Sequence, residues 1–387
     1  MAGRALGWVR FVPSVAMGER RLSRRGLLLG GVGAGALAIA GGGAWFASRS
    51  DGPAVMLWRR PMAVQADALH LAGDTLLVSG NGVSGHAAGD GTVRWHQDVG
   101  RNTISPGRSG TALFTADRDA FAVRTQTGDS AVIQVAGLAD GAQRWRRPFE
   151  GYLGSTLITA AGTVVASADA AGGRGLGGFD ATGQRWWQSV QAADQGPFDL
   201  ASDGGTLVVA ARELAAHDVA DGTRRWGVAG PEGRVFGRPA LHGGVVVALG
   251  MRYIDEDFGY RNLSVHAVDA AAGETRWTYE APGGFLLDGP PPVAGDTVVA
   301  VHESGLLTGL ELRTGRERWS SDRQATDLAA LGGRLFLALP EGVVTLDPAT
   351  GQATGAALPE RDAYRLAVSG DRLAVAAGDI LAMYRIR

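Results

Sequence analysis

From residue 54 onward, apolar and polar positions alternate in short runs, and each run ends in a turn rich in glycine. A period of two is the signature of half-buried β-strands, and nothing after residue 54 keeps a helical period long enough to compete. The turns fall into two series. One places Gly73-Asp74, Ser109-Gly110, Ala161-Gly162, Gly204-Gly205, Gly243-Gly244, Gly295-Asp296, Gly332-Gly333 and Gly370-Asp371 between apolar runs, as hairpins require. The other begins with the run to Gly91 and ends with Asp347-Pro-Ala-Thr-Gly351. In most copies of this second series a strand runs into Asp, the turn ends in Gly, and the next strand carries Trp. The Asp side chain can hold backbone N–H groups two residues on, and Gly supplies the positive φ of a tight turn.

The copies read Gly91-Thr-Val-Arg-Trp95, Gly141-Ala-Gln-Arg-Trp145, Gly183-Gln-Arg-Trp186, Gly222-Thr-Arg-Arg-Trp226, Gly273-Glu-Thr-Arg-Trp277 and Gly315-Arg-Glu-Arg-Trp319. Trp58, in Val55-Met-Leu-Trp58-Arg59, stands alone before the first unit. A repeat of roughly 40 residues made of strands implies a propeller, in which each Trp offers a flat face to the neighbouring unit. The first turn series has eight members and the second seven, and the last unit ends after Ile380-Leu-Ala-Met-Tyr-Arg-Ile386, its third strand. The expected fold is therefore all-β, an eight-bladed propeller of four-stranded antiparallel blades. The strand at Trp58 completes the last blade and leaves no large open edge. Seven blades is the alternative.

The order of strand, Asp, Gly turn and Trp resembles the repeat of PQQ-like β-propellers, the family of quinoprotein alcohol dehydrogenases and of the outer-membrane assembly lipoprotein BamB. The resemblance covers residues 54–387. It implies that the Trp docks blades together. The seventh unit departs from it, with Ala357-Leu358 where the Trp would stand.

Residues 1–47 read differently. Six Arg and one Glu lie in the first 25 residues, and none of residues 26–48 is charged. The segment Ser23-Arg24-Arg25-Gly26-Leu27-Leu28-Leu29 resembles a twin-arginine export signal, with Leu29 where Lys is usual. The uncharged run can span a bilayer, Trp45-Phe46 suit an interface, and Ala38-Ile-Ala40 suits cleavage. Residues 1–47 are thus expected to be a signal peptide or a signal anchor, and 48–53 a linker. The propeller at 54–387 is expected outside the cytoplasm, secreted or held to the membrane by an uncleaved segment.

Composition narrows the chemistry. The chain has no Cys, so it has no disulfides, thiolate metal sites, Cys nucleophile or Cys lipid anchor. Net charge is −2, and with +5 in the first 25 residues the remainder is acidic, which argues against nucleic acid as partner. No zinc-binding, phosphate-loop or nucleophile-elbow motif occurs. Quinoprotein dehydrogenases commonly carry an adjacent Cys pair, which the chain lacks, and their calcium ligands and catalytic Asp find no matching positions here. The expectation is a non-catalytic scaffold without cofactor that binds a protein or cell-envelope component; the alternative is a dehydrogenase using PQQ with calcium.

The binding face is expected where units lengthen between second and third strands, at 118–130, 170–177 and 251–262. The last of these carries Tyr253, Asp255, Asp257 and Tyr260. Arg101, Asp194, Arg238 and Asp288 are placed at the mouth, near the starts of the inner strands. Either set could equally be neutral surface or inter-blade ion pairs.

Overall fold

The computed structural model describes residues 54–387 apart from 81, 99–113, 118, 128–129, 151–152, 159–163, 171–172, 191–198, 231–233, 256–258, 286–289, 303 and 356. The expected signal segment, residues 1–47, lies outside the described residues. So do Arg101, Asp194, Asp257 and Asp288.

Every described element is a strand or turn, and the strands form eight antiparallel sheets. In order from inner to outer strand, blade one is Ala68–Ala72, Thr75–Gly80, Gly82–Ala87 and Val93–Gln97, and blade two is Phe114–Asp117, Ala120–Thr127, Ser130–Gly137 and Gln143–Glu150. Blade three is Leu153–Ile158, Val164–Ala170, Gly173–Phe179 and Arg185–Val190, and blade four is Asp199–Ser202, Thr206–Ala210, Glu213–Asp218 and Arg224–Ala229. Blade five is Val235–His242, Val245–Asp255, Gly259–Asp269 and Thr275–Phe285, and blade six is Val293–Ala294, Thr297–Val301, Leu307–Glu311 and Glu317–Ser321. Blade seven has Asp327–Leu331, Arg334–Leu339 and Gly342–Leu346. Blade eight has Ala363–Ser369, Arg372–Ala377 and Ile380–Ile386, and its outer strand is Ala54–Pro61 from the other end of the chain. That strand pairs antiparallel with the last one, Ala54 opposite Ile386 and Pro61 opposite Ile380. The propeller has eight blades, and the N-terminal strand closes the ring.

The repeat explains how blades stack. Asp269 Oδ1 accepts the N–H groups of Ala271 (2.9 Å) and Ala272 (2.8 Å), and Gly273 takes φ 75°. Arg276 donates to Asp269 Oδ2 at 2.6 Å, and with the two N–H groups it holds that carboxyl at about 2. One residue on, Trp277 is buried, and its Nε1–H crosses to the next blade and donates to Leu312 O at 2.8 Å. Its ring lies over Gly315, where a Cβ would come within 2.6 Å of it. The same docking joins Trp58 to Ala88 and Gly91, Trp95 to Leu138 and Gly141, Trp226 to Ala270 and Gly273, and Trp319 to Pro348 and Gly351. Trp145 covers Gly183 in the same way. Between the sheets lie apolar clusters such as Val208, Ala210, Leu214, Phe236, Val246 and Ala248 at the junction of blades four and five.

Four expectations need correction. In blade three the docking residue is Trp187, not Trp186: Trp187 Nε1–H donates to Val219 O at 3.0 Å, and its ring covers Gly222. The turn Asp180-Ala-Thr-Gly183 is one residue shorter between Asp and Gly than Asp269-Ala-Ala-Ala-Gly273, but the interval from Gly to Trp is kept, which selects Trp187. Blade seven lacks a regular fourth strand. Among the described residues of 353–358, pairing is limited to the isolated bridges Val343–Leu358 and Leu346–Ala353, and Gly355 at φ 80° turns the stretch out of extended geometry. In blade two the inner strand ends at Asp117, opposite Ala120 at the start of the second strand, so these strands are joined there; Ser109-Gly110 lies outside the described residues. For that reason 118–130 is not an inserted loop: most of it is the second strand, Ala120–Thr127.

Candidate binding face

In a four-stranded meander the second-to-third-strand hairpins lie at the same end as the blade-to-blade connections, and the Asp–Gly turns lie at the other end. Among the described residues, the longest strands reaching the connection side belong to blade five. Its second, third and outer strands each run 11 residues. The corresponding strands of blade one run 6, 6 and 5. Sequence reading located this extension at 251–262, and the structure makes it a continued hairpin, not a loose loop. Arg252 faces Arg261, Tyr253 faces Tyr260, and Asp255 faces Gly259, with an irregularity between Tyr253 and Asp255. The inner strand begins with Val235 opposite Met251, so residues 252–255 extend beyond their neighbour on that side. On the other side the outer strand continues to Phe285, opposite Asn262.

The root of this hairpin is a polar network that sequence reading missed. Arg234 Nη1 donates to Glu280 Oε1 at 2.6 Å and to Ser264 Oγ at 3.0 Å. Ser264 Oγ lies 2.8 Å from His266 Nε2, and Thr278 Oγ1 lies 3.1 Å from His266 Nδ1. Gly250 is required here, since a Cβ would lie 2.6 Å from His266 Nε2. Burial lowers the pKa of His266 to about 4, so the ring is neutral at physiological pH, and Phe236 packs edge-on against it at 5.0 Å. A Ser within hydrogen-bonding reach of a His is the arrangement of an activated nucleophile. Ser264 is fully buried, however, and the third partner is a hydroxyl. The network braces the hairpin, and its Ser264–His266 pair is closed to a substrate. A similar pair, Ser84 Oγ and His86 Nε2 at 2.9 Å, occurs in blade one.

At the channel end, Arg238 lies in the inner strand of blade five, next to an irregularity between Gly237 and Ala240. The described polar residues here come instead from blades seven, eight and one. Asp327 is half-buried, and the water it loses raises its pKa. Its Oδ1 accepts Leu328 N–H at 2.9 Å, and its Oδ2 accepts Leu366 N–H of blade eight at 2.7 Å. Arg365 donates to Asp67 O at 2.7 Å, and Tyr364 Oη accepts Ala66 N–H at 3.0 Å. These residues stitch inner strands together. A signal for them was present in sequence, since Asp67, Asp199 and Asp327 all stand at the entry to an inner strand, each followed by two apolar residues. Among the described residues no three His, Asp or Glu side chains gather as a metal site, and no helix is long and apolar enough to cross a membrane.

Comparison with known proteins gives the same architecture. The family model described as outer membrane protein assembly factor BamB matches residues 79–253, 174–330 and 210–383, the staggered overlaps expected of a repeat. The fold is similar to that of BamB from Moraxella catarrhalis, with TM-score 0.60 and 16% identity over 86% of this chain and 100% of that one. It is similar to a quinohemoprotein alcohol dehydrogenase from Pseudomonas putida HK5, with TM-score 0.57 and 11% identity over 87% and 76% of the chains. The computationally designed protein Ika8 superposes with TM-score 0.63 at 14% identity, over 86% and 99%. At such identities the likeness speaks for fold alone. In sequence, 175 residues are 31% identical to serine/threonine-protein kinase AfsK of Streptomyces griseus, covering 41% of this chain and 20% of the kinase. The match therefore spans about a fifth of that protein's length.

Proposed function

The chain belongs to the family of the outer membrane protein assembly factor BamB, and from that premise we propose that it is a non-catalytic binding scaffold working outside the cytoplasmic membrane. Residues 1–47 direct its export by the twin-arginine route and, if uncleaved, tether it. Its partner is a protein or another component of the cell envelope.

The observation that carries this reading is the extended hairpin of blade five. Its strands run far past those of blade one on the face where the connections gather, and a polar root, buried at Ser264 and His266 and open to solvent at Glu280, braces them. Rigid projection of a strand pair gives a partner backbone edges and side chains at low entropic cost. Two described polar groups favour the same reading. Asp327 spends both oxygens on backbone N–H groups, and Ser264 cannot be reached. These residues do not fit a quinone held by calcium, which needs open carboxylate ligands.

Two measurements test the proposal. Trimming 252–261 to a two-residue turn should leave the melting temperature within a few degrees and abolish site-specific crosslinking to the partner in intact envelopes. Unchanged crosslinking would sink the assignment of this face. A melting temperature that rises only when PQQ and calcium are both present would favour the dehydrogenase. A ligand at a hundredfold excess over its Kd stabilises by about 2.7 kcal/mol, a readily measured shift.

A further inference from the structure

Seven of the eight blade junctions carry a Trp of one blade over a Gly of the next blade's Asp–Gly turn. The junction between blades seven and eight has neither part. Blade seven has no Trp, and blade eight has no such turn because its outer strand comes from the N-terminus. Tyr384 fills the place. It follows Met383, the residue opposite Trp58, just as Phe179 in blade three follows Gly178, the residue opposite Trp187. Phe179 packs against the Trp of the preceding blade, Trp145, with ring centroids 6.1 Å apart. Tyr384 has no such Trp to meet. It is buried in the apolar cluster of blades seven and eight with Phe336 and Val343, and its hydroxyl donates to Glu360 Oε1 at 2.7 Å.

Glu360 is itself 2% exposed, and Arg59 Nε donates to its other oxygen at 3.3 Å. The short connector that carries Glu360 is fixed by backbone bonds on both sides. Asp362 N–H donates to Pro340 O at 2.8 Å, and Gly378 N–H donates to Asp362 O at 3.3 Å. Asp362, at φ 56°, is the only non-glycine with positive φ among the described residues. One carboxylate thus receives hydrogen bonds from the first strand (Arg59) and the last strand (Tyr384), and it sits on the link between the last two blades. Burial and the nearby carboxylate raise the pKa of Tyr384, so its hydroxyl stays protonated and remains a donor at any working pH.

We propose that the closure of blade eight, where the first and last strands meet beside the one junction without a Trp–Gly pair, is the seam at which the propeller opens, and that Glu360, gripped by Tyr384 and Arg59, is the latch on its outer side, while Asp327 and Leu366 hold the inner strands of blades seven and eight together. A buried carboxylate left without its donors is unfavourable, so loss of one donor loosens the seam before any Trp junction.

Hydrogen exchange on the full-length protein, read by mass spectrometry, tests this. In the wild type, amides of Ala54–Pro61 should exchange faster than those of the equivalent outer strand Arg224–Ala229. Tyr384→Phe keeps the ring and removes only the hydroxyl. It should speed exchange in Ala54–Pro61 and Ile380–Ile386 about tenfold to a hundredfold, the worth of a hydrogen bond to a charged group, and leave Val245–Asp255 unchanged. Equal acceleration in all blades, or none in Ala54–Pro61, overturns the latch. Should Tyr384→Phe fail to fold, Arg59→Ala serves. The Arg59 side chain is 51% exposed, so its removal leaves the core intact. It should speed exchange several-fold in the same strands, and unchanged exchange there again overturns the proposal.

Discussion

The assignment of Trp187 to the docking position can be tested against its neighbour. Trp187 is 8% exposed, gives its Nε1–H to Val219 O at 3.0 Å, and covers Gly222, whose Cβ position lies 2.6 Å from the ring. Replacing it with Ala empties the junction of blades three and four. A buried Trp→Ala change costs about 3–5 kcal/mol, and the Val219 carbonyl loses its partner, worth about 1 kcal/mol more. Position 186 corresponds to Arg94, Arg144, Arg225, Arg276 and Arg318, which precede the docking Trp elsewhere. All five of those Arg pair with carboxylates near the turn end. Trp186→Arg restores the residue that five other blades carry at this position and should change stability by no more than about 0.5 kcal/mol. Urea unfolding followed by Trp fluorescence and, independently, far-UV circular dichroism gives the midpoints. A large loss for Trp186→Arg together with a small one for Trp187→Ala would refute the register and the docking account together.

Two further tests address the same physics. Gly315→Ala should cost about 2–4 kcal/mol, because φ is 70° and the new Cβ would lie 2.6 Å from Trp277. Gly332→Ala, at φ 56° with open space around it, should cost only the backbone part, about 1–2 kcal/mol, and equal urea midpoints for the two would remove the Trp contact from the explanation. Acid should loosen the root of the blade-five hairpin. The pKa of His266 falls from 6.5 unfolded to about 4 folded, so the unfolded chain takes up the proton first, and stability present above pH 6.5 is lost as pH falls towards 4, by about 3 kcal/mol in all. Burial shifts His86, His217 and His302 the same way. Urea midpoints at pH 6.5 and 4.5 that agree would contradict this, and His266→Gln should flatten the slope.

The fold was legible in sequence because its unit is repeated. Asp269, Gly273, Arg276 and Trp277 each do local work that any copy must do, so position 58 could be recognised as an outer strand with no turn before it. Blade number followed from counting turns, and closure from one unpaired strand at each end. Position errors arose where local rules bend. The Arg-Trp pair after Gly183 points to Trp186, whereas the geometry holds the Gly-to-Trp interval constant and selects Trp187. Ser109-Gly110 has turn composition, yet the inner and second strands of blade two meet with Asp117 opposite Ala120, because the alternating run from Ala120 is the second strand. The polar contacts were hardly legible at all. Glu360, Asp327 and Arg365 find partners across 24 to 301 positions of sequence, and Asp327 also holds a backbone N–H that no composition marks; the partners of His266, Ser264 and Thr278, lie near it in sequence but form no motif that marks them.

That division explains where this propeller is free to specialise. The Asp–Gly turns cannot lengthen between Gly and Trp, because the Gly must lie under the previous Trp while its own blade's Trp reaches the next. The hairpins at the opposite end carry no such double constraint. Blade five adds about five residues to its second, third and outer strands relative to blade one, yet Trp277 keeps its bond to Leu312 and Gly273 its place under Trp226. The cost of the extension falls on its root alone, where Gly250 makes room and Arg234, Ser264, His266 and Glu280 satisfy one another. A surface that can lengthen without disturbing any junction is where binding specificity can be built on a ring of otherwise equivalent blades.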